Sequence, residues 1–252
     1  MGAGELHQVQ SSPGSSVATV LAEPVWHPRS RLRNSAEKTR DRNRILHQHD
    51  YGYNNIWMLE FDKNSLGACG DDVVMDSMAF IRYPDACRIG MHVIIDGFVH
   101  ISASVDVGNY VHIAPFVSVG GGRRARLEIG DFCGIAAGCR IICSTEDFLF
   151  GSGLTNPTIP DEYHGKIVNS TVTLEKHVLL GVNSVVFPGV KIGEGAVAAA
   201  CTVVKKDMAP WTVYSGNPAV VVGPRRKDRI LELEKRIRLL QRRLRAARQG
   251  DF

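Results

Sequence analysis

The sequence predicts an all-β solenoid of about five triangular coils, followed by a C-terminal α-helix. Three observations carry that prediction. Large aliphatic residues recur every six positions from Ile89 to Val204. The two interruptions of this period both fall after a multiple of three hexads. The last stretch abandons the period of six for steps of three and four.

The period comes first, because neither a helix at 3.6 residues per turn nor a plain strand at 2.0 produces six. One series is Ile89, Ile95, Ile101, Val107, Ile113 and Val119. Ile129, Ile135 and Ile141 form a second, and Leu174, Leu180, Val186, Ile192, Ala198 and Val204 a third. These are fifteen hexads, and the fifth position of nearly all of them is small or β-branched, as at Val93, Val111, Cys139, Ser184 and Ala196. Such a unit suits a short strand and a tight turn. Three strands make one triangular coil, and stacked coils bury a continuous core. Glycines after the aliphatic residue, such as Gly90, Gly130 and Gly181, turn corners cheaply. Cys87, Cys133 and Cys139 sit on repeat positions and read as small buried hydrophobes rather than disulfide partners.

The insertion GGGRRARLE (120–128) follows the sixth hexad, and a longer one, 143–173, follows the ninth. Both are expected to leave the same edge of the prism, one coil apart. Residues 1–50 are rich in Ser, Pro, Arg and Asn and read as a flexible arm. Residues 51–82 are expected to form an irregular cap over the first coil, ahead of the solenoid at 83–222. Over 223–252, Ile230, Leu233, Ile237, Leu240 and Leu244 step 3, 4, 3, 4. That is the seam of a short coiled coil in a dimer or trimer, or the apolar side of a helix packed on its own domain.

The net charge is +4, yet residues 225–248 hold eleven Lys or Arg against three acids, so the rest of the chain is acidic. The basic balance therefore belongs to the tail. No run of eighteen apolar residues is present and no charged-then-apolar leader opens the chain. The expectation is a cytoplasmic protein without a membrane span.

The hexads, with Ile192-Gly-Glu-Gly-Ala-Val and the ending ACTVVKKDMAPWTVYSGNPA, resemble the left-handed β-helix hexapeptide acyltransferases. The resemblance covers about 83–222 and is nearest to the branch serving sugars and nucleotide-linked sugars, such as the maltose and galactoside acetyltransferases. It implies a left-handed coil, a homotrimer, acetyl-CoA as donor in the groove between neighbouring prisms, and no metal. It implies a sugar or nucleotide-sugar acceptor near the long loop, and donor contacts at Gly181, Ala199, Lys205, Lys206 and Arg225. The family's basic residues soon after the GNPA alanine are replaced here by Val220 and Gly223, and the arginines come later, at Arg225 and Arg226.

Acyl transfer from a thioester needs a base for the acceptor's proton, and histidine is the usual one. Where the resemblance places that histidine, this chain has Glu146. A carboxylate serves if burial raises its pKa. His112 occupies the sixth position of its hexad, pointing outward, where a neighbouring subunit would face it. His164 lies in the long insertion. The candidates are ranked His112, Glu146, His164, each against the plainer reading of a hydrogen-bonded surface side chain. His100 and His177 carry weaker versions of the same argument.

Other functions fit less well. A γ-carbonic-anhydrase-type zinc site needs a histidine pair five apart, and the prism has none. A sugar nucleotidyltransferase needs a nucleotide-binding domain ahead of the prism. The tail lacks the aromatics of a nucleic-acid binder. A catalytically inactive scaffold stays open because the expected histidine is missing at position 146.

Overall fold

The computed structural model describes residues 61–156 and 158–249. Its core is a stack of short parallel strands, laid down three to a coil. The first coil holds β1 (Ala68–Cys69), β2 (Val74–Met75) and β3 (Phe80–Ile81). The second holds β4 (Cys87–Ile89), β5 (Ile94–Ile95) and β6 (His100–Ile101), and the third β7 (Ser104–Val107), β8 (His112–Ile113) and β9 (Ser118–Gly120). The fourth holds β10 (Arg126–Ile129), β11 (Gly134–Ile135) and β12 (Arg140–Ile142). A hairpin of β13 (Ser144–Glu146) and β14 (Ile167–Asn169) then leaves the prism. The fifth coil follows with β15 (Thr171–Leu174), β16 (Leu179–Leu180) and β17 (Val185–Val186). The sixth has β18 (Lys191–Ile192), β19 (Val197–Ala198) and β20 (Val203–Val204). A seventh begins with β21 (Thr212–Ser215), turns back antiparallel as β22 (Val220–Pro224), and continues into α1 (Asp228–Gln249).

Strands of successive coils pair in register to build three faces. The first face is β1-β4-β7-β10-β15-β18, the second β2-β5-β8-β11-β16-β19-β21-β22, and the third β3-β6-β9-β12-β17-β20. Each hexad turns two residues inward and one outward: Val93 and Ile95 are buried around exposed Ile94. The aliphatic column and the small fifth-position column thus form one core. Cys133 and Cys143 lie in it, their thiols pushed up to about 12 by burial, and all six cysteines are free.

The solenoid class holds, but the expected count of about five coils is low: six are complete and a seventh begins. The stack begins one coil earlier than the hexads counted from Ile89, so residues 68–81, expected within an irregular cap, are strands β1 to β3. Met75 and Ile81 occupy the aliphatic positions there, but Cys69 is exposed, which hides the period. The expected arm over 1–50 and the start of the cap lie outside the described residues. Both insertions leave the edge between the third and first faces, as their hexad count requires.

The corners share a backbone device. Three residues after the aliphatic position the chain enters the left-handed region, at His92, Tyr110, Phe132 and His177 on the edge between the first and second faces. It does so again at Phe98, Phe116 and Asn183 on the edge between the second and third. Such φ values are costly for bulky residues, and the neighbouring coils over-determine them.

Helix α1 packs along the first/second edge. It uses Ile230, Leu231, Glu234 and Arg238, while the expected seam residues Leu233 (42% exposed) and Leu240 (52%) face away. The edge offers a ladder of stacked rings: His92–Tyr110 at 4.6 Å, Tyr110–Phe132 at 4.9 Å, Phe132–His177 at 5.1 Å, and then Trp211. His177 Nε2 donates to the Glu234 carboxylate at 2.8 Å, and both side chains are buried. Arg238 bridges Glu234 and Asp131, and Lys176 lies 3.6 Å from Glu234. Burial pushes the Glu234 carboxyl up, but the bonds from His177 and Arg238 and the charge of Lys176 outweigh it and hold its pKa at about 2.

Candidate active site

His112 stands outward on β8, in the middle of the second face, and is half exposed. Its Nε2 lies 2.8 Å from Asp96 Oδ2, on the coil before. An ionised carboxylate only accepts, so Nε2 carries a proton, and in the neutral ring Nδ1 then keeps the lone pair. Asp96 follows Ile95, and Ile95 pairs with Ile113, so Asp96 stacks directly over Ala114. Reasoning from single hexads missed Asp96. The coil repeat would have found it: eighteen residues separate Ile94 from His112, and Asp96 is two beyond Ile94 on the same outward side.

Below Asp96, the same column along the second/third edge reads Ala114, Ala136, Gly181 and Ala199. These four small residues leave a smooth strip running down four coils from the His112–Asp96 pair. Gly181 is required by the backbone itself. A Cβ there would lie 2.5 Å from Ala200 N and 2.6 Å from the Ala199 carbonyl carbon. The Ala199 carbonyl accepts from Ser184 Oγ at 2.9 Å.

The remaining candidates lie on other edges. Glu146 ends β13 and is exposed on the hairpin that springs from the third/first edge. His164, half-buried within the same loop, donates from Nε2 to the Asn156 carbonyl at 3.2 Å and lies 3.8 Å from Asp161. Lys205 and Lys206 are exposed just after β20, on the third/first edge, with the Lys205 ammonium 5.5 Å from the centre of the Phe187 ring. Arg225 sits by the first/second edge. Its Nη1 donates to the carbonyls of His177 (2.7 Å) and Gly195 (2.9 Å), and the guanidinium lies over Trp211. Within one chain the fold therefore brings Gly181 and Ala199 to the edge beside outward-facing His112, and Glu146, His164, Lys205 and Lys206 to another. Arg225 is tied to the backbone at the third. His100 stacks on Phe80 on the third face, and His177 serves the helix. Among the described residues no cluster of three or more His, Cys, Asp or Glu is arranged to hold a metal, and no helix is long and apolar enough to cross a membrane.

No family model matches the chain. A dTDP-4-amino-4,6-dideoxy-D-glucose acyltransferase of Escherichia coli is 36% identical over 179 residues, which cover 70% of this chain and 91% of that protein. This chain belongs to the hexapeptide-repeat acyltransferases. Among solved structures, AntD, an N-acyltransferase from Bacillus cereus in complex with dTDP and 3-hydroxybutyryl-CoA, aligns at a TM-score of 0.66 and 33% identity. That alignment covers 71% of this chain and 94% of AntD. A point mutant of AntD, solved with dTDP-4-amino-4,6-dideoxyglucose and coenzyme A, aligns at 0.66 and 32% identity over 72% and 98%. The acyltransferase is thus an enzyme of the sugar and nucleotide-sugar branch, with acyl-CoA as its donor. The expected fold, reaction class and donor hold for it.

Proposed function

We propose that this acyltransferase moves an acyl group from acyl-CoA to the amine of a nucleotide-linked amino sugar, as a homotrimer in the cytoplasm, with His112 as the base. The observation that carries this reading is the His112–Asp96 pair at the head of the strip Ala114–Ala136–Gly181–Ala199. Strands of adjacent coils lie about 4.8 Å apart. The strip is therefore long enough for an extended pantetheine arm, and its small side chains let that arm lie flat with the thioester beside His112. The acceptor ammonium gives one proton to solvent, and the freed amine attacks the thioester carbonyl. Nδ1 takes the second proton from the nitrogen as the C–N bond forms and the C–S bond breaks. The imidazolium returns the proton to the departing thiolate. Asp96 holds the ring and stabilises its charged form.

The split of candidates between edges supports a trimer. If the third/first edge of one copy approaches the second/third edge of the next, Glu146, His164, Lys205 and Lys206 complete the site begun by His112. Exposed Val74, Ile94 and Leu179 on the second face are what a subunit contact would cover. Mass determination with calorimetric titration of acetyl-CoA tests this. One site per chain on a trimer is the expected result. Binding at full strength by a monomer sinks the shared site. An intact trimer that binds no acyl-CoA favours the inactive scaffold.

A further inference from the structure

On the second/third edge the corner residues of the first three coils are Met78, Phe98 and Phe116, all more than half exposed. Those of the lower coils are Gly138, Asn183 and Cys201. Phe98 and Phe116 stack 5.1 Å apart with their planes within 3°. Both adopt left-handed φ (61° and 62°), which glycine or asparagine accepts far more readily. The ring ladder on the first/second edge shares this backbone strain, but helix α1 and Trp211 cover it. Nothing among the described residues covers Phe98 and Phe116. They follow Asp96 and Ala114 by two residues each, so they stand at the corner next to the His112–Asp96 pair. Arg140, one coil below, places a cation at their foot, where its Nη1 donates to the carbonyls of Phe116 and Gly138, each at 2.7 Å.

We infer that the Phe98–Phe116 pair is a stacking platform for the planar base of the acceptor nucleotide. Two parallel, rigid, solvent-exposed rings match a heteroaromatic face, because stacking needs a flat partner with low rotamer entropy. The position suits the chemistry. A base held at this corner puts the diphosphate near Arg140, and the sugar then reaches across Ala114 to His112 Nδ1. The platform accounts for tolerating two bulky residues in left-handed corners where the lower coils use Gly, Asn and Cys. This inference rests on the nucleotide-sugar reading above and adds the site that would hold its nucleotide.

Calorimetric titration with dTDP, beside steady-state kinetics on dTDP-4-amino-4,6-dideoxyglucose and acetyl-CoA, separates the two. Phe98→Leu/Phe116→Leu keeps the apolar bulk and removes the rings. The double variant is expected to bind dTDP about tenfold more weakly, with KM for the sugar nucleotide raised by the same factor. KM for acetyl-CoA and the assembled mass should stay unchanged, and Phe116→Tyr should behave as wild type. Wild-type affinity for dTDP in the double variant overturns the platform and leaves the proposed reaction standing. A fall in assembled mass also overturns it, by assigning the rings to a second copy. Wild-type protein that neither binds dTDP nor acylates the amino sugar overturns both readings.

Discussion

The first/second and second/third edges of the prism place residues in left-handed φ at successive corners, and both stack aromatic rings there. On the first edge the rings are covered. Helix α1 lies against them, and a buried carboxylate, a histidine and an arginine join helix to prism. On the second edge the rings stay exposed, and beside them an outward histidine pairs with an aspartate above a strip of small residues. The same repeat unit thus yields one edge where a further element docks and another where, among the described residues, none does and where we propose that the chemistry takes place. Substitutions on the first should change stability and spare turnover. Substitutions on the second should do the reverse.

The largest effect is expected from His112→Ala. Loss of a positioned general base should lower kcat/KM by about 10²–10⁴-fold with no change in Tm or assembled mass, because the side chain is half exposed and makes one hydrogen bond to its neighbour. Steady-state kinetics against the amino sugar would show it. Wild-type turnover would falsify the base assignment and return attention to Glu146 and His164.

Glu234→Ala probes the other edge. It leaves the buried His177 Nε2–H and the Arg238 guanidinium without their carboxylate and should cost about 2 kcal/mol, measured by denaturant unfolding, with kcat per folded protein unchanged. The pH dependence has a fixed sign. The Glu234 pKa is depressed in the folded state to about 2, from an ordinary value near 4.5. Its contribution is therefore full above that ordinary value and disappears as pH falls toward 2. The stability gap between wild type and Glu234→Ala should accordingly narrow over that acid range and stay constant above it. A gap that widens on acidification would mean that another group controls the docking of α1.

Ala136→Leu places a branched side chain on the strip without touching the core. KM for acyl-CoA should rise about tenfold, while the dTDP affinity and the melting temperature hold. An unchanged KM would move the pantetheine arm to another edge. The smallest effect is expected from Lys206→Ala. On the proposed reading this exposed charge faces the donor's phosphates, and its loss should raise KM for acyl-CoA about two- to threefold, an effect that fades at high salt.

The sequence by itself determined the solenoid. An inward aliphatic every six residues leaves few ways to bury the chain, and the hexad count placed both insertions on one edge because three hexads close a coil. It did not reveal the first coil, where exposed Cys69 replaces an aliphatic residue and the period fades. It pointed to His112 as outward but not to Asp96, because their contact crosses coils and is legible only in a frame of eighteen. It marked the apolar seam of α1, yet the face turned to the prism carries Glu234 and Arg238. A helical wheel shows which side is apolar and cannot show which charged groups wait on the surface opposite. The coil count already sends His112 and Glu146 to different corners of one chain, but the tie of Arg225 to the His177 and Gly195 carbonyls belongs to the tertiary structure alone. Residues far apart in the chain share an edge only when coils stack, and that stacking settles which side chains can act together on one substrate.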